Sequence, residues 1–171
     1  MDYLVIVLRL IHILSGVFWV GGAIISTFFL TPAAAATGDA GMKFMGYLLT
    51  QARISVRFMV ASFLTVLSGA WLYWLDSSGP NSGWSSSGSG LGFGLGAIFA
   101  LIGLGIGSLV GMNAAKLGRI AGEAKGNPTQ LQVKEMEAAQ KQMNMASLFS
   151  TIALILALAC MATARELGGM N

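Results

Sequence analysis

Charged side chains are scarce in this chain. Only 10% of its 171 residues are Asp, Glu, Lys or Arg, whereas 55% are hydrophobic, and the mean hydropathy is +0.72. A water-soluble domain needs more polar side chains than this to cover its surface. The composition therefore excludes a soluble protein and predicts an integral membrane protein with the lipid bilayer as its surroundings. The net charge of +3 is modest, which indicates topology and does not favour nucleic-acid binding.

Residues that carry chemistry are equally rare. The lone Cys160 lies in the apolar run LALACMATA, cannot form an intrachain disulfide and is predicted to be a packing residue. No acidic residue lies within an apolar run to couple protons or cations, and there is no Ser-His-acid set and no phosphate-binding loop. A transporter would show polar residues at mid-depth in both halves of the chain. Only Arg9 and His12 stand out, both near the start, which disfavours transport.

Four apolar runs are long enough to cross a membrane. They cover about residues 3–30, 54–75, 91–113 and 146–164, and each suffices for a hydrocarbon core of ~30 Å at ~1.5 Å per residue. We expect Pro32 to end the first helix. The pattern predicts an all-α membrane protein, with residues 1–171 forming one antiparallel four-transmembrane-helix bundle.

The connections differ in character. Between the first two spans, GDAGMKFMGYLLTQARI has hydrophobic residues at helical spacing and predicts a short interfacial helix. Residues 76–90 contain no Lys or Arg and are rich in Gly and Ser, which predicts a flexible connection. Residues 129–145 predict a polar cytoplasmic helical extension of the fourth span, with Thr129 as its N-cap.

The basic residues lie on one side of the predicted bundle. The first and third connections, with the adjoining helix ends, hold eight of the ten Lys and Arg residues, and the second connection holds none. Basic segments stay in the cytoplasm. We therefore expect a multi-pass protein of the bacterial inner membrane, with both termini in the periplasm.

The third span has a regular spacing of glycines. Small residues four apart allow a neighbouring helix, or a flat cofactor, to approach the backbone closely, and helix packing is the favoured interpretation. The glycines concerned are Gly92, Gly96, Gly103, Gly107 and Gly111.

Small and polar residues also define one face of the first span and one of the second. Such a face is expected to point into a membrane bundle. On the first span the residues that stack on His12 are Arg9, Ser15, Gly16, Trp19, Gly22, Ala23 and Ser26, and on the second span the corresponding residues are Ser55, Ser62, Thr65 and Gly69.

An arginine and the only histidine of the chain within a span call for explanation, because charge in the bilayer is costly. Arg9 lies about 10 Å from the start of its helix, so its side chain can reach the outer interface. His12 cannot, because its side chain is short. It is either a neutral imidazole hydrogen-bonded to Ser15, to Thr65 or to a carbonyl, or a metal or haem ligand, or part of a proton relay.

A basic residue three before a histidine, with Trp seven after it and two glycines nine and ten after it, forms the pattern of Arg9, His12, Trp19, Gly21 and Gly22. This pattern of about 20 residues resembles the first helix of CopD-like copper-resistance membrane domains. It also resembles the membrane protoporphyrinogen oxidase of the HemJ type. The resemblance implies a small helical membrane bundle and, for the oxidase, an association with haem b.

The leading hypothesis is therefore a haem-associated membrane protein that serves electron transfer or porphyrin-related redox chemistry. His12 would be the iron ligand, Arg9 would lie near a propionate, and Trp19 would pack at the porphyrin edge. The remaining candidate cofactor-binding residues are Ser15, Gly22 and Thr65.

The identity of a second iron ligand stays open. Met59 is predicted to lie about 9 Å deeper than His12, and Met161 about 10 Å shallower. A five-coordinate haem, or two His12 side chains meeting across a dimer, is then expected. A copper-handling CopD-like protein is the weaker alternative, because the Met143 and Met145 pair lies at the opposite interface from His12.

A third hypothesis is a non-catalytic accessory subunit of a larger respiratory or photosynthetic membrane complex. Its partners would be other membrane subunits or further copies of this chain. The glycine-lined third span and the incomplete set of catalytic groups support it. Whether the protein is an enzyme is left open at this stage.

Overall fold

Helix accounts for nearly all of the chain that the structure describes. The computed structural model describes residues 3–78, 83–124 and 126–169, and within these ranges it contains no strand. The all-α class is therefore confirmed. In chain order the elements are α1 (Tyr3–Ile25), a π-helical turn (Ser26–Leu30), α2 (Thr31–Ala36), α3 (Asp39–Thr50), α4 (Ile54–Ser77), a 3-10 turn (Trp84–Ser86), α5 (Gly88–Ala124) and α6 (Gln130–Gly168).

Four helical segments are long and apolar enough to cross a membrane: Tyr3–Ala36, Ile54–Ser77, Gly88–Ala124 and Gln130–Gly168. This confirms the four apolar spans of a multi-pass membrane protein. Most helices are longer than the hydropathy predicted, because polar residues continue the backbone hydrogen bonding past the apolar runs. Thr129 does cap α6, with its hydroxyl accepting from the Gln132 backbone N–H while the Gln132 side chain accepts from the backbone of Thr129.

The first helix does not end at Pro32. It continues through the π-helical turn into α2 and ends at Ala36, beyond the predicted end near residue 30. Pro32 lies in the first turn of α2, where a missing backbone N–H is tolerated. In the wider π-helical turn before it, the Ser26 carbonyl accepts two hydrogen bonds from Thr31. One comes from the backbone N–H and the other from the side-chain hydroxyl at 2.9 Å.

The closest helix pair is α5 with α6. A Cβ placed on Gly92 would lie 2.9 Å from the Ala164 Cα, and one on Gly103 would lie 2.9 Å from the Leu154 side chain. The Ser150 hydroxyl donates to the Gly103 carbonyl at 2.7 Å. The missing side chains therefore let the two backbones meet.

Of the other three glycines in the predicted row, two contact α6 closely and one does not. A Cβ on Gly96 would lie 2.7 Å from the Met161 Cγ, and one on Gly107 would lie 3.0 Å from the Ser150 Oγ. A Cβ on Gly111 would meet no heavy atom within 4 Å among the described residues. Within the predicted glycine row, the close contact of α5 with α6 thus extends from Gly92 to Gly107 and stops before Gly111.

The second pair is α1 with α4. Its helix α4 contacts α5, for example through Tyr73 and Gly94, and α1 meets the first pair at two places. Near mid-depth, Trp19 of α1 packs with Ala61 of α4 and Leu154 of α6. At the π-helical turn, the Thr27 hydroxyl lies 2.7 Å from the Ser147 Oγ and 2.9 Å from the Thr151 Oγ1 of α6. An apolar cluster and a hydroxyl cluster therefore join α1 to the α5–α6 pair.

Part of the second connection packs against the helices on either side of it. Residues 79–82 lie outside the described part of the chain, but Trp84 packs between two aromatic rings. Its ring centroid lies 5.3 Å from that of Tyr73 in an edge contact and 6.2 Å from that of Phe93 in a stacked one. This packing fixes the chain just before α5 begins at Gly88, three residues earlier than predicted.

The α5–α6 contact predicts the effect of enlarging one glycine. We expect Gly103→Leu to destabilise the protein by about 1–3 kcal/mol, because the new side chain overlaps Leu154 in a packed interface. The measurement is the thermal midpoint of detergent-purified protein. Gly105→Leu is the matched control, since a Cβ there meets nothing within 4 Å in the described structure. Equal midpoints for the two variants would contradict this contact.

Candidate functional site

The candidate site lies where α1 meets α4. His12 is half-buried, and its Nδ1 lies 2.8 Å from the backbone carbonyl oxygen of Thr65. A carbonyl oxygen only accepts hydrogen bonds, so Nδ1 carries the hydrogen and donates it. In the neutral ring the lone pair is therefore on Nε2, the other nitrogen. This contact fulfils one of the predicted roles of His12, the hydrogen bond to a carbonyl.

A glycine of α4 makes room for the imidazole. A Cβ on Gly69 would lie 2.6 Å from the His12 Cε1 and 2.9 Å from Nδ1. Both distances are shorter than real Cβ contacts, so any other residue at this position would push the ring away. Gly69 thus positions His12 against the backbone of α4.

Three hydroxyl side chains surround this contact. The Thr65 Oγ1 lies 2.9 Å from the Ser15 Oγ and 2.8 Å from the Ala61 carbonyl oxygen. Ser68, buried, lies with its Oγ 3.5 Å from the His12 Nδ1 and donates to the Leu64 carbonyl. The structure therefore brings together His12, Ser15 and Thr65, as the predicted faces imply.

Ser68 was missed by the sequence analysis. It lies three residues after Thr65, a spacing that places both on one side of a helix. The signal was present, because Ser68 continues the polar face that Ser62 and Thr65 begin. Ser55, which was assigned to that face, is exposed at the first turn of α4.

The contact with Thr65 leaves the second imidazole nitrogen of His12, Nε2, without a protein partner in the described structure. Among the described residues no hydrogen bond involves the His12 Nε2. No enclosed side-chain nitrogen or oxygen there lacks a partner, so Nε2 is not sealed inside the protein. The half-buried ring thus presents a nitrogen with a free lone pair at the surface of the α1–α4 contact.

Arg9 lies one helical turn before His12 and is exposed. Within the described ranges the one ion pair joins Arg119 to Glu123 at 2.9 Å, so Arg9 has no carboxylate partner there. A guanidinium is always charged and presents five donors. Arg9 is therefore free to bind an anionic group close to His12.

Trp19 and Gly22 lie in a different environment from His12. Trp19 is only 7% exposed and packs in the apolar cluster with Ala61 and Leu154. A Cβ on Gly22 would lie 2.5 Å from the Phe58 ring, so this glycine accommodates an aromatic side chain of α4. Both residues lie about 10 Å or more along α1 from His12.

The methionine register differs from the prediction. Because Trp19 packs with Leu154, and Thr27 contacts Ser147, counting ~1.5 Å per residue puts Met161 within about one helical turn of the level of His12. The prediction placed it about 10 Å away. Its side chain nevertheless packs on Gly96 of α5. Within the described residues there is also no group of three or more His, Cys, Asp or Glu that could hold a metal.

The contact of His12 with Gly69 predicts a spectroscopic change. His12 is the only histidine, so 15N-histidine labelling gives one pair of ring nitrogen signals. We expect a protonated Nδ1 and an unprotonated Nε2 in the native protein. Gly69→Ala should displace the ring, remove a hydrogen bond of about 1 kcal/mol and give a mixture of tautomers. Gly21→Ala, where a Cβ has nothing within 4 Å in the described structure, should keep the native spectrum. Identical spectra for all three proteins would refute the contact.

Comparisons of the chain with models of protein families, with curated proteins and with solved structures find no match. The functional assignment therefore rests on the residues of this chain and on the contacts between them.

Proposed function

We propose that this protein binds haem b in the membrane through Nε2 of His12 and serves electron transfer or porphyrin-related redox chemistry. One observation carries the proposal: the Nδ1–H of His12 donates to the Thr65 carbonyl at 2.8 Å. Histidines that ligate metals almost always donate their other N–H to a carbonyl, a carboxylate or water, which fixes the tautomer and makes the ligating nitrogen more basic. The His12 imidazole is held in the tautomer that an iron ligand needs.

The surrounding residues fit such a group. The His12 Nε2 is not enclosed. The apolar side chains on either side of His12 along the chain are exposed, Ile11 at 38% and Ile13 at 56%. A porphyrin is flat and apolar with two carboxylates, so Arg9, one turn from His12, is the candidate partner for a propionate. When bound, haem would supply one-electron redox chemistry.

Few side chains near His12 could provide a second ligand to the haem iron. Met161 packs against α5, and the described residues hold no cluster of His, Cys, Asp or Glu beside His12. Each chain would then give iron one ligand, with a five-coordinate haem or a second His12 from another copy. A copper site requires several converging soft ligands, which makes copper the weaker proposal.

The arrangement in the membrane is part of the proposal. In both pairs the contacts run in opposite order along the two helices, as with Gly92 to Ala164 and Gly107 to Ser150, which supports an antiparallel four-helix bundle. Met42, Phe44 and Tyr47 are exposed on α3, which supports its position at the membrane interface. The basic residues in the first and third connections support an inner-membrane protein with periplasmic termini.

The accessory-subunit hypothesis has two supports, the glycine row of α5 as a surface for a partner and the incomplete set of catalytic groups, and only the first is weakened. In the structure Gly92, Gly96, Gly103 and Gly107 all face α6 of the same chain. Other subunits or further copies of the chain stay possible partners in the proposal, but no contact of that row requires them.

Haem binding is tested by absorption spectroscopy of protein purified in detergent after expression with added haem. The native protein should show a Soret band, and His12→Gly should lose it because the iron has no other protein ligand. Added imidazole should restore the band, since it can occupy the space of the missing side chain.

The matched control is Thr163→Ala, which removes a side chain that bonds only within α6 and is exposed. It should keep the band. No Soret band in the native protein, or a band that His12→Gly leaves unchanged, would end the proposal.

Topology is tested by cysteine labelling in intact cells. Ser86 and Gln130 are exposed in the second and third connections, so Ser86→Cys or Gln130→Cys is made in a Cys160→Ala background. Ser86→Cys should react with a membrane-impermeant maleimide and Gln130→Cys should not, because the basic connections stay in the cytoplasm. The reverse labelling would mean that the protein has the opposite orientation, with Arg9 and His12 in the cytoplasmic half of the bilayer.

A further inference from the structure

An apolar groove lies on the outside of the bundle between α1 and α4. It has a volume of about 550 Å³, and its walls are formed by side chains such as Leu14 and Phe18 of α1 and Val60 and Leu64 of α4. Ser15 also contributes, but its hydroxyl donates to the Ile11 carbonyl, so it offers the groove little polarity. His12, Thr65 and Gly69 are not part of its lining, and Ser15 is the residue that the groove shares with the surroundings of His12.

One end of this groove is positively charged. Arg57, in the first turn of α4, lines the groove and is exposed. Arg53, the residue just before α4, is also exposed and adds a second positive charge close to this end in the chain. Neither arginine takes part in the one ion pair found among the described residues, that of Arg119 with Glu123. The groove thus joins an apolar channel to an unpaired positive charge.

The dimensions match part of a lipid molecule. From Arg57 to Leu64 the groove follows seven residues of α4, or about 10 Å at ~1.5 Å per residue. The first turn of a membrane-spanning helix is the depth of the phospholipid headgroups, and the next 10 Å is the depth of the upper acyl chains. Basic pockets between spans on the basic side of a membrane protein bind anionic headgroups.

We propose that the α1–α4 groove binds an anionic phospholipid, with an acyl chain along Phe18, Val60 and Leu64 and the headgroup phosphate paired with Arg57. The argument is charge complementarity: a guanidinium at the headgroup level without a carboxylate partner presents its donors to a phosphate, and the apolar wall beside it fits a hydrocarbon chain. A zwitterionic lipid would fill the same channel but bring its own positive charge close to Arg57. This site is independent of the proposed haem.

The test counts lipids that stay bound to the protein. The full chain is placed in nanodiscs with equal amounts of phosphatidylglycerol and phosphatidylcholine, extracted gently and weighed by native mass spectrometry. The native protein should retain phosphatidylglycerol in preference to phosphatidylcholine. Arg57→Gln should lower that preference about fivefold, the effect of one basic residue on binding to an anionic membrane.

Two further variants separate the causes. Arg119→Gln removes the same charge from a solvated ion pair away from the groove and should keep the preference. Val60→Trp fills the groove from a side chain that is 51% exposed, so the fold tolerates it, and should reduce the retention of both lipids. Thermal midpoints of all variants show that each is folded.

Three results would overturn the proposal. The first is equal retention of both lipids by the native protein. The second is an equal loss of preference in Arg57→Gln and Arg119→Gln, which would mean that the preference follows net charge. The third is a dimer that Val60→Trp breaks, which would mean that a second copy of the chain occupies the groove.

Discussion

Hydrocarbon offers no hydrogen-bond partner, and this constraint decides where every polar side chain in the spans can go. Some hydroxyls return to their own helix, as when Ser62 donates to the Met59 carbonyl at 2.8 Å. Others join helices, as Ser150 does with the Gly103 carbonyl. No enclosed side-chain nitrogen or oxygen in the described ranges is left without a partner. His12 obeys the same rule with one nitrogen only, and the other nitrogen is what makes this residue chemically distinct from the hydroxyls around it.

Glycine serves two purposes in this bundle. Along α5 it removes the side chains that would separate two backbones, so that α5 and α6 pack at short distance. On α4, Gly69 removes a single side chain so that the His12 ring can lie against the helix and reach the Thr65 carbonyl. The first use stabilises the fold over several turns, whereas the second positions one functional group. A glycine row in a membrane sequence therefore does not by itself reveal which use it has.

The sequence predicted features that depend on local composition and missed those that depend on how helices pack. Hydropathy located the four spans, and Thr129 as the predicted N-cap located a helix start. The sequence could not place Met161 relative to His12. That distance depends on the offset between α1 and α6, and the contact of Trp19 with Leu154 sets this offset. Pro32 was predicted to end the first helix. The helix continues past it through a π-helical turn in which the hydroxyl and N–H of Thr31 both donate to Ser26, and these bonds are visible only in the folded protein.

The candidate site was predictable in its residues and not in its bonds. The polar faces identified His12, Ser15 and Thr65. The atom of α4 that accepts the imidazole hydrogen is known only from the contact in the folded protein. The two helix pairs also differ in burial: α1 buries only Ser15 and Trp19, whereas α6 buries eight residues. The α5–α6 pair is therefore the more tightly packed part of the bundle, and α1 keeps much of its surface open to lipid. A ligand that approached α1 could replace lipid without breaking the packed core, and for this reason we place both proposed binding sites on the α1–α4 half of the molecule.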